Sequence, residues 1–342
     1  MRNLITDVEG LKVGHAEDAK LGSGSTAIVF DRPAVASVDL RGGGPGSRET
    51  ELLAAHSTVE RVDAIMLSGG SAFGLDATSG AQAWLHERGR GYAVGTARVP
   101  IVPGAIVFDL LAGGDKQWGR YSPYRDLGYL AADAAGLDFA LGSAGGGLGA
   151  TTAGLKGGIG SASATTTGGI TVGAIVIVNA VGRVTIGDGP HFWAAPFEQN
   201  GEFGGLGWPQ AIGPEALEVH TKGGPRESTT IALVATDAIL TKAQCHRIAV
   251  MAQTGCARAI YPVHTPLDGD IVFAAATGLK PLPDPHFALT ELGATAANVL
   301  ARAIARGVYE ATALPFPGAL PSWRDKFRRE VPARQVRVKS ET

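Results

Sequence analysis

Residues 226–237 run from a polar segment, Arg226-Glu227-Ser228-Thr229-Thr230, straight into an unbroken apolar stretch, and that junction constrains the chain more than any other. Residues 231–235, Ile-Ala-Leu-Val-Ala, read as a buried strand, so a core sheet must be built around them. Gly223-Gly224-Pro225 just upstream reads as a loop, which leaves Thr229 at the mouth of the strand. A threonine hydroxyl is a poor nucleophile without a base in reach. Cutting the chain before it turns its own α-amine into that base. The same residues also suit an ordinary strand that opens on threonine, so the decision rests on the rest of the chain.

A chain of 342 residues can bury a large core, and its formal net charge of −2 points to no nucleic-acid or membrane-surface partner. Its 49 glycines are about twice the usual ~7%. They are scattered among strand and helix patterns, which implies many tight turns and close backbone approaches. Asp7 and Glu9 stand where a signal peptide needs an apolar core, and no run reaches the ~20 apolar residues of a spanning helix. Cys245 and Cys256 lie on one expected helix and imply neither a disulfide framework nor a zinc site. A cytoplasmic, turn-rich globular protein is expected.

In chain order, residues 25–30 and 34–40 read as two strands joined by a turn at Asp31-Arg32-Pro33. A glycine-rich loop, 41–50, follows. Its Arg41, Arg48 and Glu49 either bind a carboxylate or pair with one another, and pairing is the simpler expectation. Residues 51–59 suggest a short helix and 64–67 a buried strand leading into Ser68-Gly69-Gly70-Ser71-Ala72-Phe73 and a helix through His86. That order resembles a nucleophile elbow, but the elbow needs glycine two residues after the serine and Phe73 stands there. The glycines are better read as packing a helix against a strand. Residues 142–167 hold a single charge, Lys156, among Gly, Ser, Thr and Ala. Near-fingerprints for a dinucleotide lack the preceding strand and the acidic residue, so no cofactor is expected. Poor solvation would lower the pKa of Lys156, whereas a turn lysine would stay solvated.

Residues 169–179 form a second buried strand, ending in Asn179, whose amide is placed either to donate to an oxyanion or to cap a turn. Residues 187–225 show no periodicity and would be a long functional or disordered loop. Thr241 caps a helix over 241–255, on which Cys245 and His246 point apart. Asp268 and Asp270 flank a glycine before a strand and project to the same side, where they share a proton, orient an ammonium group or merely shape a turn. A long amphipathic helix is expected over 290–312, and a basic, solvated tail over 323–342.

Taken together, Arg41-Gly42-Gly43 with Pro45-Gly46-Ser47-Arg48-Glu49-Thr50, Ser68 to Leu75, Asn179-Ala180-Val181-Gly182, Thr229-Thr230-Ile231 with Ala235-Thr236-Asp237, and Asp268-Gly269-Asp270 resemble the L-aminopeptidase/D-esterase family. That family includes β-peptidyl aminopeptidases and nylon-oligomer hydrolases, and the resemblance spans roughly residues 6–309. It implies an α/β fold, a four-layer α-β-β-α sandwich with two central sheets, similar to N-terminal-nucleophile hydrolases but connected differently. It also implies an inactive single-domain precursor that cuts itself into residues 1–228 and 229–342. By the resemblance Thr229 is the nucleophile, Asn179 lies on the oxyanion side, Asp268 and Asp270 are the acidic pair, and Lys156 is the lysine of the nylon-oligomer branch. Phe108 stands where that branch has a tyrosine before aspartate, so a phenol cannot serve there and the ring is left as a substrate-binding group. Ser228 replaces the expected Asn or Gly before the cut. The expected chemistry is hydrolysis of small amine-bearing amides through an acyl-enzyme on Thr229, in a homo-oligomer, a tetramer of processed units. Competing readings are an acyltransferase of the ornithine-acetyltransferase kind and a non-processing binding protein of the same fold.

Overall fold

The computed structural model describes residues 1–222 and 228–327. Gly223, Gly224, Pro225, Arg226 and Glu227, expected as the loop before Thr229, lie outside the described residues, as does 328–342 of the basic tail. In chain order the elements are β1 (Leu11–Asp18), β2 (Ser23–Leu40), β3 (Ser47–Arg48), β4 (Arg61–Ser68), α1 (Asp76–Glu87), β5 (Tyr92–Val94), β6 (Ala97–Val99), β7 (Gly104–Ile106) and α2 (Tyr124–Asp133). There follow β8 (Gly158–Thr165), β9 (Thr171–Asn179), β10 (Thr229–Ala238), α3 (Lys242–Ala259), β11 (Ile271–Lys280), α4 (Phe287–Tyr309) and α5 (Trp323–Lys326).

Among the described residues the main strands form one nine-stranded sheet in the order β3-β7-β4-β2-β11-β10-β9-β8, with β1 also paired to β2. The turn expected at residues 31–33 is absent. Strand β2 runs straight through it, and a register shift between Val29 and Ala34 takes up the kink. On one side its first half pairs with β1 and its second half with β11, while on the other β4 pairs with residues 25–29 and 34–35. The proline is tolerated at that shift, where ladder pairing is interrupted anyway.

Because β2 changes partners midway, one sheet makes two layers. Ile231, Leu233 and Ala235 of β10, with Ile175 and Ile177 of β9, meet Ile28, Phe30, Ile65 and Leu67 in a core made mostly of strand residues. The alternate residues, Ala232 and Val234 with Val176 and Val178, pack on α3 and α4. On the far side Ala27, Val29, Ala64 and Met66 pack on α1 and α2. The expected four layers are therefore present, and the two expected sheets are halves of one. Strand β10 is buried on both faces, which is why its sequence does not alternate.

Helix α3 begins where expected. Gln244 N donates to the Thr241 hydroxyl and Thr241 N donates back to Gln244 Oε1, a reciprocal cap that satisfies two otherwise orphan donors. Residues 51–59 make only a short turn of 3-10 helix, Glu51–Leu53. The first part of the 187–225 segment is anchored in the core. Phe192 and Phe203 are buried in the α3/α4 core and Trp323 stacks on Phe192 at 5.5 Å. Trp323 and Phe327 are buried too, so the start of the expected solvated tail instead closes the core.

Gly160 lets β8 and α4 touch, since a Cβ there would stand 1.9 Å from the Ala303 carbonyl oxygen. Overpacking at so tight a contact forces backbone to shift, so Gly160→Val should cost roughly 3 kcal/mol. A urea midpoint unchanged from wild type would contradict this packing.

Candidate active site

Strands β9 and β10 are antiparallel with Thr229 opposite Asn179, so the last residue of one and the first of the other share the same edge of the core. Ser228, just outside β10, pairs with the segment before β11: its N–H donates to the Leu267 carbonyl, and its own carbonyl accepts from Gly269 N–H at 2.8 Å. The Thr229 hydroxyl donates to that same carbonyl at 2.6 Å. Two donors therefore converge on the Ser228 carbonyl oxygen, and the group that would attack its carbon is already beside it. A Cβ on Gly269 would stand 2.5 Å from Gly44 O and 2.9 Å from Thr229 Oγ1, so no side chain fits there. Gly42 is under the same constraint, 2.2 Å from Asp270 N. The 41–46 loop clasps this segment through Arg41 N and Gly42 N to Asp270 O and Gly44 N to Asp268 O. Arg41 and Arg48 do not pair with Glu49. Arg41 meets Asp39 at 2.6 Å, and Arg48 donates to Ser79 and Gln82.

The Asn179 side chain is fully buried. Its Oδ1 accepts from Thr151 N at 3.0 Å and from Lys222 Nζ at 2.7 Å, while its Nδ2 donates to the Phe108 carbonyl at 3.0 Å. Two donors on one end and an acceptor at the other fix which way the amide points. An amide nitrogen carries two hydrogens, so one remains for a reacting group.

Asp268 and Asp270 are both 1% exposed. Asp268 accepts from Val181 N, Thr265 N and the Thr265 hydroxyl, and Asp270 accepts from Thr230 N at 2.7 Å and from His264 N and Nδ1. Burial, reinforced by the charge of Asp270, pushes the Asp268 carboxyl up against the pull of these hydrogen bonds. The two acids are electrostatic neighbours, as their spacing implied. Beyond what spacing showed, they pin the amides around β10.

Lys156 is buried beside the site and lines the same cavity as Phe108 and Thr151. Its ammonium donates to the carbonyls of Gly147, Ala150 and Gly157 at 3.1, 2.8 and 2.9 Å, and burial pushes it down to about 7, opposed by the charge of Asp109. By gathering these carbonyls it shapes the loop whose Thr151 N–H holds Asn179. Asp109, also buried, is pushed up by burial despite hydrogen bonds from Ser23 and from Gly70 N. Phe108, Asp109, Thr151, Lys156, Lys222 and Leu320 line a cavity of about 150 Å³ beside the strand ends.

Ser71 stands at positive φ (51°) after β4, and its hydroxyl has no hydrogen bond among the described residues. The preceding glycines make room for Asp109, Ser23 and the Tyr124 ring. Sequence reading did not find Thr151, Lys222, His264 or the Gly269 amide. Backbone donors leave no trace in residue type, and Lys222 sits in an aperiodic stretch.

Peptidase family S58 matches residues 3–319. An uncharacterized aminopeptidase of Mycobacterium tuberculosis is 45% identical over 347 aligned residues, covering 95% of this chain and 98% of its own. A 6-aminohexanoate-oligomer endohydrolase of Agromyces is 26% identical over 81% of this chain and 76% of its own. In structure, the β-aminopeptidase of Burkholderia superposes with a TM-score of 0.71 at 24% identity, over 98% of this chain and 95% of that one. The L-aminopeptidase D-Ala-esterase/amidase of Ochrobactrum anthropi, described as a variant of the Ntn hydrolase fold, gives 0.69 at 21% identity, over 96% and 94%.

The buried lysine makes stability depend on pH. Its folded value, about 7, lies below the ordinary 10.5, so between these limits the unfolded chain holds a proton that the folded chain lacks. Stability conferred at this site therefore rises as pH rises through that window, and the full burial penalty is present below it. Lys156→Met should remove that rise, so that the wild-type urea midpoint gains on the variant's between pH 7 and 10. Parallel profiles would show that Lys156 does not titrate there.

Proposed function

The chain belongs to peptidase family S58 and is a peptide-bond hydrolase, and on that premise we propose that it cuts itself between Ser228 and Thr229 and then uses Thr229 as an N-terminal nucleophile on small amine-bearing amides. The observation that carries this reading is the Thr229 hydroxyl 2.6 Å from a Ser228 carbonyl oxygen that Gly269 N–H already polarises.

In the uncut chain the hydroxyl attacks the Ser228 carbonyl carbon, and Gly269 N–H stabilises the oxyanion. Collapse breaks the C–N bond, the hydroxyl proton passes to the leaving amine, and an ester links Ser228 to the Thr229 oxygen. Water then hydrolyses that ester. Ser228 becomes a carboxylate terminus and Thr229 a free amine beside its own hydroxyl. In the second reaction that amine takes the hydroxyl proton as the oxygen attacks a substrate amide, and the remaining Nδ2 hydrogen of Asn179 supports the new oxyanion. Asp270 holds the start of β10 through Thr230 N, Asp268 holds the flanking segments through Val181 N and Thr265 N, and both favour the charged form of the new amine. Lys156 acts at one remove, through the loop that fixes Asn179. Phe108 contributes its carbonyl to Asn179 and its ring to the cavity. That cavity, about 150 Å³, suits a small substrate. The names of two similar proteins, a β-aminopeptidase and a 6-aminohexanoate-oligomer endohydrolase, support amides that carry a free amine.

Denaturing mass spectrometry of the purified protein should show fragments 1–228 and 229–342, the smaller beginning Thr-Thr-Ile-Ala. Thr229→Ala should remain one inactive chain, and Ser71→Ala should be cut normally. An intact wild-type chain with full amidase activity would sink the N-terminal-nucleophile reading. Asp270→Asn keeps the shape and removes the charge, so kcat/KM on aminoacyl p-nitroanilides should fall by roughly 10²-fold or more. Wild-type kinetics in that variant would reduce the acidic pair to a turn.

A further inference from the structure

The proposed mechanism assigns no role to Lys222, yet its ammonium sits on Asn179 itself. Its Nζ donates to Oδ1 at 2.7 Å and to the main-chain carbonyl of the same residue at 3.0 Å. Its backbone N–H is anchored on Val181 O at 3.1 Å. The side chain lines the cavity beside Phe108, Leu111 and Leu320, so an aliphatic stem with a terminal ammonium already occupies this place. No other ammonium is bonded to Asn179 among the described residues. We infer that the main-chain carbonyl and Oδ1 of Asn179 form an ammonium subsite, held by Lys222 in the uncut chain and taken by the amine of a small aliphatic substrate once the chain is cut.

The geometry gives three supports. Two oxygens of one residue converge on the cation, and an ammonium with three donors is recognised by converging acceptors of this kind. The buried carboxylates nearby already accept from amides, from the Thr265 hydroxyl and from His264. Asn179 also lies opposite Thr229 in the strand register, so an amine held there brings the amide next to it toward the nucleophile. Lys222 precedes the proposed cut in sequence. In the uncut chain it is tethered from both sides, and a cut after Ser228 leaves it near a free end. A tethered group competes at an effective concentration set by its linkage, so cutting weakens it as a competitor. The inference thus deepens the proposed function and rests on it, naming where the substrate's amine goes.

The test uses chains that cannot be cut, so it reads the subsite separately from self-cleavage, which intact mass reads on the wild type. Full-length Thr229→Ala is compared with Thr229→Ala carrying Lys222→Met, each checked for an unchanged thermal midpoint, with Lys222→Gln replacing the methionine variant if that one unfolds. The probe is n-butylamine, which copies the end of a lysine, followed by ligand-observed NMR, with n-butanol as the uncharged control. Removing Lys222 should tighten n-butylamine binding at least about tenfold and leave n-butanol unchanged. Equal n-butylamine binding in both chains overturns the inference. So does an equal gain for n-butanol, which would show an opened apolar space rather than an ammonium site. In the cut wild-type enzyme n-butylamine should raise KM without lowering kcat, and a fall in kcat alone would likewise count against the subsite.

Discussion

Three neighbouring core strands reach the same edge of the sheet, and their terminal polar groups are shut away from water. Asn179 closes β9, Thr229 opens β10, and Asp268 and Asp270 precede β11, all of them at most 3% exposed. A buried polar group without a partner costs more than most single contacts contribute. These residues must therefore satisfy one another and the backbone around them. The Thr229 hydroxyl turns to its own upstream carbonyl, the acids take up amides, and Asn179 is held at both ends of its side chain. The precise placement that catalysis needs is here a by-product of that requirement.

Such closeness is possible because side chains are missing where backbones meet. Gly42 and Gly269 let the 41–46 loop lie against the Asp-Gly-Asp segment, and Gly269 also leaves room for the Thr229 hydroxyl. The glycine-rich stretch before β8 serves differently. It offers carbonyls instead of side chains, and Lys156 collects three of them. In a chain with so many glycines, loops approach the strand ends as backbone, and backbone supplies Thr151 N–H, Gly269 N–H and the Phe108 carbonyl.

Burial moves the ionisable groups behind the site in opposite directions. It pushes Asp109 up and Lys156 down, and each charge partly restrains the other. Both line the cavity that Lys222 also lines. Charge at this edge of the core is thus carried by groups whose ionisation depends on one another, at the place where an amine would have to be accommodated.

The sequence by itself determined the elements that local pattern can specify. The unbroken apolar runs of β9 and β10 required burial on both faces, Thr241 marked the start of α3, and the Asp-Gly-Asp spacing brought together two carboxylates whose charges interact. Order along the chain also carried the family resemblance that the S58 match supports. Tertiary structure alone decided that β2 is a single strand serving both layers, because pairing partners far apart in sequence absorb its kink. It alone seated Trp323 in the core, set Lys156 on three backbone carbonyls and put Lys222 on Asn179. The physical reason is common to all of these. Periodicity reports which face of an element avoids water, whereas the partner of a buried charge is set by carbonyls and amides that every residue possesses and no residue type displays.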